Sequence, residues 1–125
     1  MILDTNAISA ILDGDRVLHA VLAFADRHHL PVIAMGEYRY GLKSSKHRLA
    51  LESLLNRLQS ESLMVPLNSA TAGHYADIRH ELKTAGHPIP ENDIWIAALA
   101  RQHRLPIVSR DEHFDAVSGI QRIGW

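Results

Sequence analysis

At 125 residues the chain is long enough to bury a core and short enough that one domain is expected, over residues 1–125. A hydrophobic content of 46% with 22% charged residues excludes a mostly disordered chain, and the lack of cysteine excludes disulfides and thiolate chemistry. The 13 Lys and Arg nearly balance the 14 Asp and Glu, so an anionic substrate must be drawn by a local patch or by bound cations. Met1-Ile2-Leu3-Asp4 reaches a carboxylate too early for a signal peptide, and no apolar run is long enough to span a bilayer. A cytoplasmic protein is expected.

Met1-Ile2-Leu3 predicts a short buried strand, and Asp4-Thr5-Asn6 a helix start. Ala7–Leu12 predicts a short helix, stopped at Asp13-Gly14-Asp15. Val17–His28 predicts a second helix, broken at His28-His29-Leu30-Pro31, and Val32-Ile33-Ala34 a second strand. Met35–Ser44 predicts a helix carrying Glu37. Lys46–Gln59 predicts another, with Leu51, Leu54, Leu55 and Leu58 at i, i+3, i+4 and i+7.

Leu63-Met64-Val65-Pro66 predicts a third strand. Ser69–Ala85 predicts a helix with Ala72, Tyr75, Ile78 and Leu82 inward and Gly86 as its stop. The next helix starts at Glu91 or Asn92 and runs to about His103. It is apolar nearly all round, so it belongs in an interior. Its first turn carries Glu91, Asn92 and Asp93, and the helix dipole there favours an ionised carboxylate. Leu105–Ser109 predicts a fourth strand, Arg110–Asp115 a turn or helical turn, and Gly119–Ile123 a fifth, edge strand. Short apolar strands alternating with helices mean an α/β fold, a mainly parallel sheet of four to five strands covered on both faces.

In such a sheet, ligands bind outside the carboxyl ends of the strands. Asp4 ends the first strand, Asp111 lies just past the fourth, Glu37 follows the second, and Asp93 heads the helix that feeds the fourth. Four carboxylates at one edge repel and need cations among them. An oxygen ligand set suits Mg²⁺ or Mn²⁺, and such a site is built for phosphodiester hydrolysis. Each acid taken singly also has a purely local role. Asp4 and Asp111 can cap the turns they start, Glu37 can be an exposed helix charge, and Asp93 can be a dipole partner.

These residues resemble the PIN-domain ribonucleases. The stretches that carry the likeness are Met1-Ile2-Leu3-Asp4-Thr5-Asn6, Glu37, Pro90-Glu91-Asn92-Asp93-Ile94-Trp95-Ile96-Ala97-Ala98-Leu99-Ala100 and Ser109-Arg110-Asp111-Glu112-His113-Phe114. Within that family the chain looks most like the VapC-type toxins of toxin–antitoxin pairs. The resemblance implies a three-layer α/β/α sandwich and metal-dependent endonucleolysis of structured RNA. It also implies a homodimer and a cognate antitoxin whose tail occupies the active-site groove. Carried across, Asp4, Glu37, Asp93 and Asp111 are the catalytic acids, with Asp4, Asp93 and Asp111 as direct metal ligands. Asn6 and Ser109 orient the carboxylates by hydrogen bonds.

Other readings have weaker support. No two of the 9 histidines are three or four residues apart, so no helix presents a zinc-binding pair, and most are read as surface or satisfied polar residues. There is no GxGxxG or GxxxxGK[ST]. Arg39, Lys43, Lys46, His47 and Arg48 form a basic cluster that serves equally as an RNA-backbone contact or a solvated helix face. Tyr38, Tyr40 and Trp95 read as core or dimer contacts. The first two helices and the Lys46–Gln59 helix are candidate dimer surfaces. A non-catalytic RNA- or partner-binding domain of the same fold, and a stand-alone RNA-processing nuclease, are the alternatives.

Overall fold

The structure is a computed structural model that describes residues 1–25 and 27–125. Its elements are β1 (Ile2–Leu3), α1 (Thr5–Leu12), α2 (Arg16–Leu22), β2 (His29–Pro31), α3 (Val32–Leu42) and α4 (Arg48–Ser60). They continue with β3 (Leu63–Val65), α5 (Ser69–Ala85), α6 (Glu91–His103), β4 (Ile107–Val108), a 3₁₀ turn (Glu112–Ala116) and β5 (Arg122–Ile123). The five strands form one sheet in the order β3-β2-β1-β4-β5, and every pairing is parallel.

This order creates the site. The chain steps from β1 to β2 to β3 in one direction, then returns past β1 to β4 and β5. Right-handed crossovers running in opposite directions put their helices on opposite faces. Accordingly α1 packs on α2, α3 and α4, whereas α5 and the 3₁₀ turn pack on α6. The direction reverses between β1 and β4, and a crevice opens there at the carboxyl ends of the strands.

The strands are short and almost wholly buried at the centre: Ile2, Leu3, Ile107 and Val108 have no exposed surface. Helix α6 lies against them with Ile94, Ile96, Ala97, Ala98, Leu99 and Ala100 buried, as an apolar circumference requires. At about 2–5 kcal/mol for truncating a buried leucine, Leu99→Ala alone removes a large share of the stability of a domain this size. No helix among the described residues is long and apolar enough to cross a membrane.

Helices α5 and α6 start and stop where the residues demand. Asn68 and Thr71 form a reciprocal capping box at the head of α5, and Gly86 closes it in the left-handed conformation at φ 72°. Within α5 the inward phase differs from expectation. Ala72 is exposed and Thr71 is buried, because the Thr71 hydroxyl bonds Asn68 and Gln102.

The second βα unit departs most from the sequence expectation. Strand β2 is His29–Pro31, and Val32-Ile33-Ala34 opens α3 instead of forming a strand. Two pairings decide this: His29 sits opposite Ile2 of β1 and Leu63 of β3, and its N–H donates to the Met1 carbonyl at 2.9 Å. Pro31 has no N–H, ends the strand and serves as the N-cap of α3, so the breaker and the strand end coincide. Helix α2 correspondingly ends at Leu22, short of the expected His28; position 26 of that expected helix lies outside the described residues. The other boundaries move by at most three residues. Helix α1 begins at Thr5, α4 spans Arg48–Ser60, and β4 and β5 contract to Ile107–Val108 and Arg122–Ile123.

Candidate active site

Asp4, Glu37, Asp93 and Asp111 line one open cavity of about 690 Å³, together with Thr5, Asn6 and Arg110. Each acid arrives by a different local device. Asp4 is the residue after β1 and the N-cap of α1, its Oδ1 accepting from the Thr5 N–H at 2.7 Å. Asp111 caps the 3₁₀ turn after β4, its Oδ1 accepting from the His113 N–H at 3.0 Å. Asp93 lies in the first turn of α6. Glu37 lies midway along α3, which meets α6 through a hydrogen bond from Asn92 Nδ2 to Glu37 Oε1. The capping roles and the convergence therefore coexist. Capping turns a side chain back over the strand end, which is where the crevice lies.

The carboxylates are held by neutral donors. Ser109 Oγ donates to Asp4 Oδ2 at 2.7 Å and accepts from the Asp111 N–H at 2.9 Å. Asn6 Nδ2 lies 3.2 Å from Asp4 Oδ2 and 3.1 Å from Ser109 Oγ, while Asn6 Oδ1 accepts from the Arg110 N–H. Thr5 Oγ1 donates to Glu37 Oε2. Asn6 and Ser109 thus tie the end of β1 to the end of β4 and hold Asp4.

Burial governs the charges. Asp4 is 4% exposed and Asp93 9%, so neither carboxylate keeps a full hydration shell. Burial pushes the Asp93 carboxyl up to about 6; His113 pulls against it, and the charges on Asp4 and Asp111 add to the rise. The dipole of α6 favours an ionised Asp93, but desolvation outweighs it. Asp4 is also raised, first by burial, against the hydrogen bonds from Ser109 and Thr5, and further by Glu37 and Asp111.

The donor set fits a divalent cation. Ligand atoms of Asp93, Asp111 and His113 all lie within 4.8 Å of one another. Asp4 lines the same cavity, with its oxygens accepting from Thr5, Asn6 and Ser109.

Three residues at the site carry no distinctive signal in the sequence. His113 stands two residues from Asp111 within one turn, not at the three- or four-residue spacing of a helical zinc pair. Thr5 and Asn92 hold Glu37 and were visible only as neighbours of Asp4 and Asp93. His28 and His29 each bury an Nδ1 with no hydrogen-bond partner among the described residues, and burial lowers both imidazole pKa values.

The basic cluster is partly used within the protein. Arg39 donates to Gln59 at 2.9 Å and Arg48 pairs with Glu52 at 2.9 Å. On the cavity wall the basic residue is Arg110, clamped to Asp15 at 2.6 Å and stacked 4.5 Å from the Trp125 ring. Trp95 stacks on Tyr75 at 3.9 Å, Tyr38 packs on the core and Tyr40 is 81% exposed.

The sequence profile of the PIN domain matches residues 1–120. Ribonuclease VapC5 of Mycobacterium tuberculosis is 29% identical, the match covering 94% of this chain and 87% of the relative. VapC ribonuclease Y4jK of Sinorhizobium fredii is 32% identical over 89% of this chain and 86% of its own length. The crystal structure of VapBC-5, a toxin–antitoxin system from Mycobacterium tuberculosis, contains a chain with the same fold. It superposes with a TM-score of 0.80 at 26% identity, covering 99% of this chain and 97% of that one. A β1–β4 crevice lined by four convergent acids, a profile match along nearly the whole sequence and these relatives agree, and the chain belongs to the PIN-domain family, among its VapC ribonucleases.

Proposed function

We propose that this chain is the toxin of a toxin–antitoxin pair and an endoribonuclease that hydrolyses phosphodiester bonds of structured RNA with Mg²⁺, Mn²⁺ serving in its place. The observation that carries the reading is the meeting of Asp4, Glu37, Asp93 and Asp111 in one cavity at the point where the strand order reverses. The acids would hold a divalent ion, whose chemistry there would be to lower the pKa of a bound water and to offset charge on the phosphate. The chain's own residues do the rest. Asp4, Asp93 and Asp111 would present carboxylate oxygens to the ion, with Asp4 held in place by Thr5, Asn6 and Ser109. Glu37, fixed between Thr5 and Asn92, faces the same cavity and is placed to orient a water.

A cognate antitoxin is proposed as partner on the strength of the toxin–antitoxin crystal structure from Mycobacterium tuberculosis. A homodimer is proposed on the exposed apolar side chains of α2–α4. Phe24, just past α2, is 93% exposed, and Leu49 of α4 is 83% exposed.

Labelled RNA incubated with the purified protein and Mg²⁺ tests the enzyme. Cleavage abolished by EDTA and by Asp4→Asn supports it. RNA retained but not cut, with retention unchanged by Asp4→Asn, refutes it in favour of a binding domain.

A further inference from the structure

Arg110 stands between two parts of the site. It follows Ser109, which holds Asp4, and precedes Asp111, and its backbone N–H donates to Asn6 Oδ1 at 3.2 Å. It lines the active-site cavity, where it is the one basic residue beside Asp4, Asp13, Glu37, Asp93 and Asp111. It also lines a second cavity, of about 610 Å³, which shares only Arg110 and Asp111 with the first. These two residues therefore form the ridge between the cavities.

The guanidinium on that ridge is held on two sides. Its Nη2 donates to Asp15 Oδ2 at 2.6 Å, and the Trp125 ring lies against its face at 4.5 Å. Asp15 is itself fixed. Its Oδ1 caps α2 through the Leu18 N–H at 3.0 Å, and its Oδ2 also accepts from Trp125 Nε1 at 3.1 Å. Arg110 Nε and Nη1 make no hydrogen bond among the described residues, and the side chain is 55% exposed. A guanidinium clamped at one nitrogen and one face keeps a donor edge for an outside anion and has little rotamer freedom left to lose on binding it.

We propose that Arg110 binds the RNA phosphate next to the scissile one, as the strand crosses the ridge from the active-site cavity into the second cavity. Asp15 and Trp125 are its positioning residues. The inference rests on the ribonuclease reading above and deepens it by naming a residue that holds the substrate. The physical need is charge. A neighbouring phosphate reaching the ridge meets a wall of carboxylates, and on that wall Arg110 is the cation the chain itself supplies. The second cavity is of nucleotide-pocket size, with Pro88, Ile89 and Ala116 as apolar lining beside His87, and it takes the attached nucleotide. A phosphate contact carries no sequence information, so Arg110 sets affinity and register, not the identity of the RNA.

The test is binding of a labelled pool of structured RNA hairpins, followed over a range of salt in an Asp4→Asn background with Mg²⁺, where the RNA stays whole. Adding Arg110→Ala should weaken binding about fivefold and make the plot of log affinity against log salt shallower by about 0.7–0.9, the loss of one phosphate contact. Adding Arg110→Lys should keep the slope, because the charge remains, and lose part of the affinity with the fork. The control is Arg104→Gln. Arg104 caps the far end of α6, about 20 Å along the helix from Asp93 and beyond a screening length of about 10 Å, so both readings should stay at the background value. In otherwise wild-type protein, Arg110→Ala should raise the KM for RNA cleavage about fivefold and leave kcat close to the wild-type value. RNA bound equally well with and without Arg110, an equal loss in Arg104→Gln, or a fall in kcat at unchanged KM overturns the proposal and leaves the ribonuclease reading standing. Protein that neither retains nor cuts RNA at low salt overturns both.

Discussion

Replacing Asp93 by Asn in metal-free protein should make it more stable while removing its activity. The side chain is 12% exposed, and its carboxyl is pushed from 3.8 up to about 6. An acid whose folded pKa lies above its unfolded value binds more protons when folded. Its contribution is therefore best at low pH, and stability falls as pH rises from 3.8 through about 6. At about 1.4 kcal/mol per pH unit, holding Asp93 ionised in the fold costs about 3 kcal/mol above that window. Asn keeps the shape without the charge but loses an acceptor for His113, so a gain of about 2 kcal/mol at pH 8 is expected. In a chain of this length that raises the Tm by about 8 °C. Thermal melts in EDTA at pH 4 and pH 8 read it directly. The difference between variant and wild type isolates Asp93 from the other carboxylates, and most of it should vanish at pH 4. A variant that melts at or below the wild type at pH 8, or a gap equal at both pH values, refutes the repulsion and desolvation argument.

The same reasoning gives the sign of metal linkage. Mg²⁺ at 100 times its Kd should stabilise the wild type by about 2.7 kcal/mol, and Asp111→Asn should abolish most of that shift in a melt. Glu37 lies outside the Asp93–Asp111–His113 triad, so Glu37→Gln should keep the Mg²⁺-induced rise in Tm while RNA cleavage falls about 100-fold. Loss of both together would place Glu37 on the ion. Thr71 is fully buried and bonded to Asn68 and Gln102. Thr71→Val should cost about 1–3 kcal/mol in urea unfolding, and the folded protein should cleave RNA normally.

Asp15 clamps Arg110 at 2.6 Å and accepts from Trp125 Nε1 at 3.1 Å. The Arg110 side chain is 55% exposed, so solvent screens the pair. Arg110→Ala, which leaves the Asp15 cap of α2 intact, should therefore shift the Tm by no more than about 4 °C. A larger fall would mean that the stacking of Arg110 on Trp125, not the ion pair, secures the loop that carries Asp111.

What was legible in the sequence is what depends on neighbours along the chain. Helix α6 announces itself by an apolar circumference behind an acidic first turn, and α5 by Asn68 at its head and Gly86 at its end. The alternation of apolar runs with helices implied a parallel sheet, and the rule that ligands sit at carboxyl strand ends singled out Asp4 and Asp111. Those signals are local, because capping, periodicity and strand polarity act within a few residues.

Only the tertiary structure decided the rest. Val32-Ile33-Ala34 fits a strand or a buried helix equally well, and it became helix because β1 and β3 pair with His29–Pro31 instead. The raised pKa of Asp93 comes first from burial by the packing around α6 and then from the charges of Asp4 and Asp111 on two other loops, none of which a sequence spacing encodes. His113 gained its place beside Asp93 through contact of the 3₁₀ turn with α6, twenty residues away in the chain. Burial and charge proximity are long-range quantities, so they exist only once the sheet has brought its carboxyl edge together.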